Sequence, residues 1–261
     1  MSELVSIITP SYNTVEFIKS TIDSVRSQSY TNWEMLVIDD CSTDDSATVI
    51  KDIIRNFNDE RIKLFVNSKN SGAAVSRNKA LALAKGKWIA FLDSDDLWKS
   101  DKLEKQITFM KNNGYHFSYT NYSEIDENSK SLGKLVSGPK KITKVGMYNY
   151  CWPGCLTVMY NADTIGIIQI NDIKKNNDYA IWLKVIKKSN CYLLDENLAK
   201  YRKRKGSISN HSYYNLIKYH YLLFRKNENM NKFKSLIFTI RNLLFGILKK
   251  IKYVNIVHDK N

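Results

Sequence analysis

Residues 86–98 read GKWIAFLDSDDLW: a short apolar run, Trp88 to Leu92, opens directly onto Asp93-Ser94-Asp95-Asp96. A continuous apolar run of this length, rather than an alternating one, fits a strand buried on both faces of a parallel sheet. The same transition recurs upstream. LVSIIT (4–9) stops at the turn Pro10-Ser11-Tyr12-Asn13, and WEMLVID (33–39) stops at Asp39-Asp40-Cys41-Ser42. RIKLFV (61–66) and HFSYT (116–120) supply two more strands. Between them, Phe17, Ile18, Ile22 and Val25 recur at helical spacing, as do Ile50, Ile53, Ile54 and Phe57 behind a Ser42-Thr43-Asp44-Asp45 cap. SGAAVSRNKALALAKG (71–86) reads as a small-residue helix closing on Gly86, and another helix is expected through Leu97, Leu103, Ile107 and Met110. Four strand–helix pairs in succession predict an α/β fold, a mostly parallel sheet flanked by helices on both faces.

The rest of the chain is consistent with that class. At 261 residues, 43% hydrophobic and 12% aromatic, wholesale disorder is excluded, and 10 Gly with 3 Pro exclude collagen-like and proline-rich chains. Four scattered cysteines (41, 151, 155 and 191) make no disulfide framework and point to a reducing compartment. The first residues, MSELVSIITPSYN, lack the basic and long apolar regions of a secretory signal, and no apolar stretch of about 18 residues is long enough to span a bilayer. Residues 121–200 are less regular, with a strand candidate at Leu156–Met159 and a helix from about Asp178 to Lys188.

Charge is uneven. Residues 201–261 carry 14 Lys/Arg against Glu228 and Asp259, so most of the net +14 lies in the tail. From residue 212 onward the tail reads as helices. Phe233, Ile237, Ile240, Leu244, Ile247, Ile251 and Val254 step by three and four to make one apolar stripe flanked by Lys232, Lys234, Arg241, Lys249, Lys250 and Lys252. A basic amphipathic helix suits a membrane interface; the same stripe would also serve to pack on the body or on a second subunit.

In a parallel α/β sheet, ligands bind beyond the carboxyl ends of the strands, where the polar residues collect here. There is no GxGxxG after the first strand and no Walker lysine, which argues against a dinucleotide-binding enzyme and a P-loop NTPase. Carboxylates crowded at a strand end invite a hard divalent cation, which takes one or two of them and completes its shell with water and phosphate oxygens.

Five blocks carry a resemblance: TPSYN (9–13), VIDDCSTDDS (37–46), NSGAAVSRN (70–78), GKWIAFLDSDDLW (86–98) and NNDYAIWLK (176–184). In this order and spacing they resemble the family 2 glycosyltransferases, inverting enzymes with the Rossmann-like GT-A fold, over residues 3–205. The resemblance implies a GT-A domain over 1–211, with a nucleotide-binding half at 1–120 and an acceptor half at 121–211, followed by the helical basic tail at 212–261. It implies a nucleotide-sugar donor, usually a UDP-sugar, a glycan or lipid-linked acceptor, and Mn²⁺ or Mg²⁺ as cofactor. Polysaccharide, capsule or lipooligosaccharide synthesis on the cytoplasmic face of the cell membrane would be its setting. Thr9, Pro10, Tyr12, Asp39 and Asp40 match the part that holds the nucleobase. Gly72 and Arg77 lie by the nucleotide, Asp93 and Asp95 match the donor-facing DxD, and Asp95 with Asp96 match the metal site. Asp178 matches the catalytic base, which the family places after a Glu; here Asn177 stands in that position. YRKRKGSIS (201–209) is similar to a closing segment near the diphosphate, in which some relatives carry a histidine; His211 is the nearest here.

Other readings compete. Cys151 and Cys155 have no second Cys/His pair to complete a metal site, so packing is expected of them. Trp152 and Trp98 fit either core or an acceptor platform, and His116 and His220 are expected to be structural. A catalytically weak sugar-nucleotide-binding homologue would fit Asn177. A polyanion- or nucleic-acid-binding protein would fit the tail, but it has no recognisable motif, and nucleic acid is not an expected partner. A haloacid-type phosphatase would need an Asp where Thr9-Pro10 stand.

Overall fold

The computed structural model describes residues 2–204 and 213–257. Its first half runs β1 (Val5–Ser11), α1 (Ile18–Arg26), β2 (Trp33–Asp39), α2 (Ser46–Phe57), β3 (Ile62–Val66), α3 (Ala73–Leu83), β4 (Trp88–Phe91), β5 (Leu97–Trp98) and α4 (Lys102–Asn113). The second half runs β6 (Phe117–Ile125), β7 (Ser131–Val136), β8 (Lys141–Ile142), α5 (Lys144–Asn149), β9 (Met159–Asn161), α6 (Ala162–Ile165), α7 (Asn177–Val185) and β10 (Cys191–Arg202). The tail adds α8 (Tyr213–Leu222), α9 (Lys232–Lys252) and β11 (Val254–Ile256).

β3, β2, β1 and β4 lie side by side and parallel. Their residues alternate between two cores. Val5 and Ile7 of β1, Met35 and Val37 of β2, and Trp88 and Ala90 of β4 meet α1, α2 and α4 on one face. Ile8, Leu36, Ile38, Ile89 and Phe91 meet α3, α5 and α7 on the other. Both faces are dry, which is why the strand sequences read as unbroken apolar runs.

β9 enters antiparallel between β4 and β6, and β10 runs parallel to β6 along its other edge. The strand at 116–120 is therefore separated from the parallel set by a strand that arrives much later in the chain. The candidate at Leu156–Met159 divides into a 3-10 turn, Cys155–Thr157, and β9.

Three other expectations are corrected. Leu97 does not start a helix: Leu97 and Trp98 form β5 against β10, and α4 begins at Lys102. Gly86 is not a helix cap, because α3 ends at Leu83 and Ala84 is extended. A Cβ on Gly86 would lie 2.5 Å from the Ser6 amide nitrogen, so glycine is needed there for close approach to β1. Val254 leaves the tail's stripe and joins β11, which pairs with β7 through Val254 and Val136.

Candidate active site

The pairing of Ser11 with Asp39 and of Ile8 with Phe91 brings the ends of β2, β1 and β4 to one rim. The loops beyond β1 and β2 are stitched together. The Asn13 amide donates to Ser42 Oγ at 3.0 Å, the Thr14 amide to Ser46 Oγ at 2.9 Å and the Val15 amide to Asp44 Oδ2 at 3.1 Å. Thr9 and Pro10 form the end of β1, Thr9 fully buried, while Tyr12 stands 43% exposed above them with its ring available for stacking.

Asp39 and Asp40 both point inward. Asp39 accepts from the Ser42 hydroxyl and amide, which holds Cys41 in the left-handed region at φ 61°. Asp40 accepts from Asn67 Nδ2 at 2.7 Å and from the amides of Ser71 and Gly72 at 3.0 and 2.6 Å. It thereby fixes the loop that enters α3. Gly72 opens that helix at φ +87°, a conformation that favours glycine, and nothing lies within 4 Å of the place a side chain would fill.

After β4, exposure alternates. Asp93 and Asp95 are partly open, while Ser94 and Asp96 are buried. Asp96 Oδ1 accepts from the Arg202 amide at 2.8 Å, and its Oδ2 has no hydrogen-bond partner. Burial, then the charges of Asp95 and Asp93, push the Asp96 carboxyl well above the usual range. Burial also raises Asp95, against the Arg204 guanidinium, which pairs with it at 2.7 Å. Arg202 Nε donates to the Asp95 carbonyl at 2.7 Å, and Nη1 donates to the Glu127 carbonyl and Ser129 Oγ, both at 2.9 Å, while Nη2 has no partner. In sequence, 202–205 is one undivided basic run. Its members part in the structure: Arg202, the last residue of β10, and Arg204, just beyond it, both reach Asp95 and lie over the Phe17 ring. Lys205, Ser207 and His211 lie outside the described residues.

α7 is positioned by Trp182, whose ring meets Phe91 edge-on with centroids 4.8 Å apart. Its first turn presents Asn177 and Asp178. Arg77, 5% exposed on α3, bridges the two sides, with one end of its fork on Asp93 and the other on the Asn177 side-chain oxygen. Burial alone would lower the Arg77 guanidinium; Asp93, with help from Asp178, holds it up instead. Burial raises the Asp178 carboxyl above its ordinary value, opposed by Arg77 and by the amide of Tyr179.

The sequence pattern of glycosyl transferase family 2 matches residues 6–157. The chain belongs to glycosyl transferase family 2. It is 42% identical over 235 residues to a protein of Bacillus subtilis named for teichuronic acid biosynthesis, TuaG, covering 89% of this chain and 91% of that one. It is also 42% identical over 212 residues to WfgD of Escherichia coli, a UDP-Glc:α-D-GlcNAc-diphosphoundecaprenol β-1,3-glucosyltransferase, covering 80% and 81% of the two chains. Among solved structures, Staphylococcus aureus TarS 1–349 in complex with UDP-GlcNAc superposes with a TM-score of 0.70 at 20% identity, over 96% of this chain and 76% of that one. The fold is GT-A, and the chain is a glycosyltransferase; the phosphatase and nucleic-acid readings are not favoured.

Within this family member, Asn177 serves as a neutral acceptor. Its amide oxygen receives a hydrogen bond from Arg77 without adding a second carboxylate beside Asp178. Cys155 Sγ lies 3.6 Å from the Arg77 guanidinium, so it lines the site and does not merely fill the core. Trp98 donates to the Leu156 carbonyl at 2.7 Å and Trp152 to the Gly146 carbonyl at 3.0 Å; both are buried, which excludes them as acceptor platforms. His220 is buried against Tyr179, and His116 meets Thr164.

Proposed function

We propose that this glycosyltransferase moves a sugar from a UDP-sugar to a lipid-linked or growing glycan acceptor, with inversion, during surface polysaccharide synthesis. The observation that carries the reading is the Arg77 bridge. It ties the carboxylate cluster after β4 to the start of α7, so a donor at the rim and a base at Asp178 share one cleft. The donor class is supported by the name of the Escherichia coli relative WfgD, and a lipid-linked acceptor by the same name. Residues 1–120 then form the nucleotide half, 121–211 the acceptor half and 212–261 a membrane-facing tail. The four unpaired cysteines support the cytoplasmic side of the membrane as its setting.

In this reading Thr9, Pro10 and Tyr12 frame the nucleobase, while Asp39 and Asp40 shape its pocket through the loops they hold. Gly72 leaves room along the nucleotide, and Arg77 with Asp93 faces the donor. Enzymes of this family generally use a divalent metal. Among the described residues no three His, Cys, Asp or Glu side chains converge on one ready-made cage. The cluster nonetheless fits Mg²⁺ or Mn²⁺: the donors are hard oxygens, their charges repel one another, and one or two carboxylates suffice when phosphates complete the shell. Asp95, open to the cleft, would hold the ion, with Asp93 beside it. Asp96, also expected to ligate, is buried beside it with one carboxylate oxygen free of hydrogen-bond partners. A cation there would offset charge developing on the departing diphosphate.

Asp178 accepts the proton of the acceptor hydroxyl on its carboxylate as that oxygen attacks the anomeric carbon from the face opposite the diphosphate. One displacement inverts configuration. Calorimetric titration of UDP with and without Mn²⁺ tests the donor half. Expected is binding that requires Mn²⁺ and weakens at least about tenfold in Asp95→Asn. Metal-independent binding that the variant leaves unchanged would contradict it.

A further inference from the structure

α9 packs on the body through Phe238 and Phe245, yet most of its apolar residues lie on the other side. Its buried positions are largely polar: Ser235, Thr239, Asn242 and Lys249. The large apolar residues face out, with Phe233 72%, Ile240 48%, Leu244 57%, Ile247 57% and Ile251 76% exposed. At 3.6 residues per turn these five share one stripe. Lys234, Arg241 and Lys252 border it on one side, and Lys232 and Lys250 on the other. No acid occurs anywhere in Lys232–Lys252.

The inward polar groups are spent on fastening the helix. Asn242 Nδ2 donates to Tyr179 Oη at 2.9 Å, and Lys249 Nζ donates to the Trp152 carbonyl at 2.7 Å. Gly246 lets the Tyr150 ring approach so closely that a Cβ would lie 3.0 Å from it. α9 is thus attached, through this inward side, to the element that carries Asp178, while its outward apolar stripe has no partner among the described residues.

We propose that this outward face docks flat on an anionic lipid surface. An apolar stripe bordered on both sides by cations is complementary to a bilayer interface, where the apolar side chains enter the acyl boundary and the lysines reach the headgroup phosphates. A second copy of the chain fits poorly, because pairing two such stripes sets their basic borders against each other. No helix of the described residues is long and apolar enough to cross a membrane, so the contact is along the helix. Because α9 is bonded to Tyr179, docking holds the Asp178 side of the cleft at the bilayer, where a lipid-linked acceptor would present its sugar. The docking itself does not depend on the donor or acceptor proposed above.

The test is flotation of the full chain with vesicles of phosphatidylcholine containing roughly one-third phosphatidylglycerol, and with phosphatidylcholine alone, at low and high salt. Expected is salt-sensitive binding to the anionic vesicles only. The double variant Ile240→Asp/Ile247→Asp should lower it at least about tenfold, and Lys234→Gln/Lys252→Gln should lower it several-fold. Both variants alter exposed side chains, so the thermal midpoint and UDP binding should match the parent. Failure of the parent chain to float, or undiminished flotation of both variants, overturns the proposal. So does a dimer that the aspartate variant converts to monomer, since that assigns the face to a second copy. Flotation without UDP binding would remove the donor reading and leave the docking in place.

Discussion

Arg77 sits among Asp93, Asn177 and Cys155 with almost no access to water, and its Nε has no partner. A buried guanidinium in such a place is tolerable only while its anions stay, and its planar fork is what reaches two elements at once. The SRN block singles out Arg77, but its contact with Asn177 spans 100 positions, so its second partner was not legible. That contact explains the amide. A Glu at 177 would put a like charge beside Asp178, whose carboxyl burial already raises. As the proposed base, Asp178 would work only deprotonated, so activity would be present above its pKa and fall as pH drops through it. Asn177→Glu should therefore move the acid limb of the kcat profile upward, measured as UDP release across pH. An unmoved or lowered limb would remove this account of Asn177.

At the scale of elements, the strands were legible because both faces of the sheet are dry, and the rim was legible because polar residues interrupt each run at the same end. The errors arose where local signals served non-local contacts. Leu97 and Trp98 carry no mark of β10, a partner about 100 residues later. Gly86 looks like a helix cap because a glycine follows a helix, whereas what requires it is the approach to β1. Gly86→Ala should accordingly destabilise the fold by about 1–3 kcal/mol, from strain and not from propensity. Urea unfolding measures it; a stability within about 0.5 kcal/mol of the parent would mean the strand has room.

Across the whole molecule, one buried charge is idle in the proposed chemistry. Lys102 is fully buried at the start of α4, its Nζ on Gln106 Oε1 at 2.6 Å and over the Trp98 ring, and burial pulls it down to about 7. Unfolded, it would titrate near about 10.4, so between about pH 7 and 10 the unfolded chain binds the extra proton and stability rises with pH. Below about pH 7 the full cost of the buried cation remains. Lys102→Met should remove that slope, gaining about 2–4 kcal/mol on the parent at about pH 6 relative to pH 10. Denaturant unfolding at the two values checks it, and parallel pH curves for the two proteins would contradict it. Nothing in the sequence marks Lys102, since a lysine on an amphipathic helix normally faces water. The tail was likewise half legible: its stripe could be read, but which side faced the body could not, because that depends on Tyr179 and Trp152 far upstream.

In the proposed mechanism, donor rim and base form one catalytic cleft, with Asp178 taking the acceptor's proton. The decisive measurement is Asp178→Asn, assayed for sugar transfer from whichever UDP-sugar the parent turns over to a lipid-diphosphate-linked acceptor, alongside calorimetric UDP binding. Turnover is expected to fall about 10²–10⁴-fold, with UDP affinity within a few-fold of the parent. Turnover equal to the parent's would remove Asp178 from the reaction and leave the rim a binding site without its base.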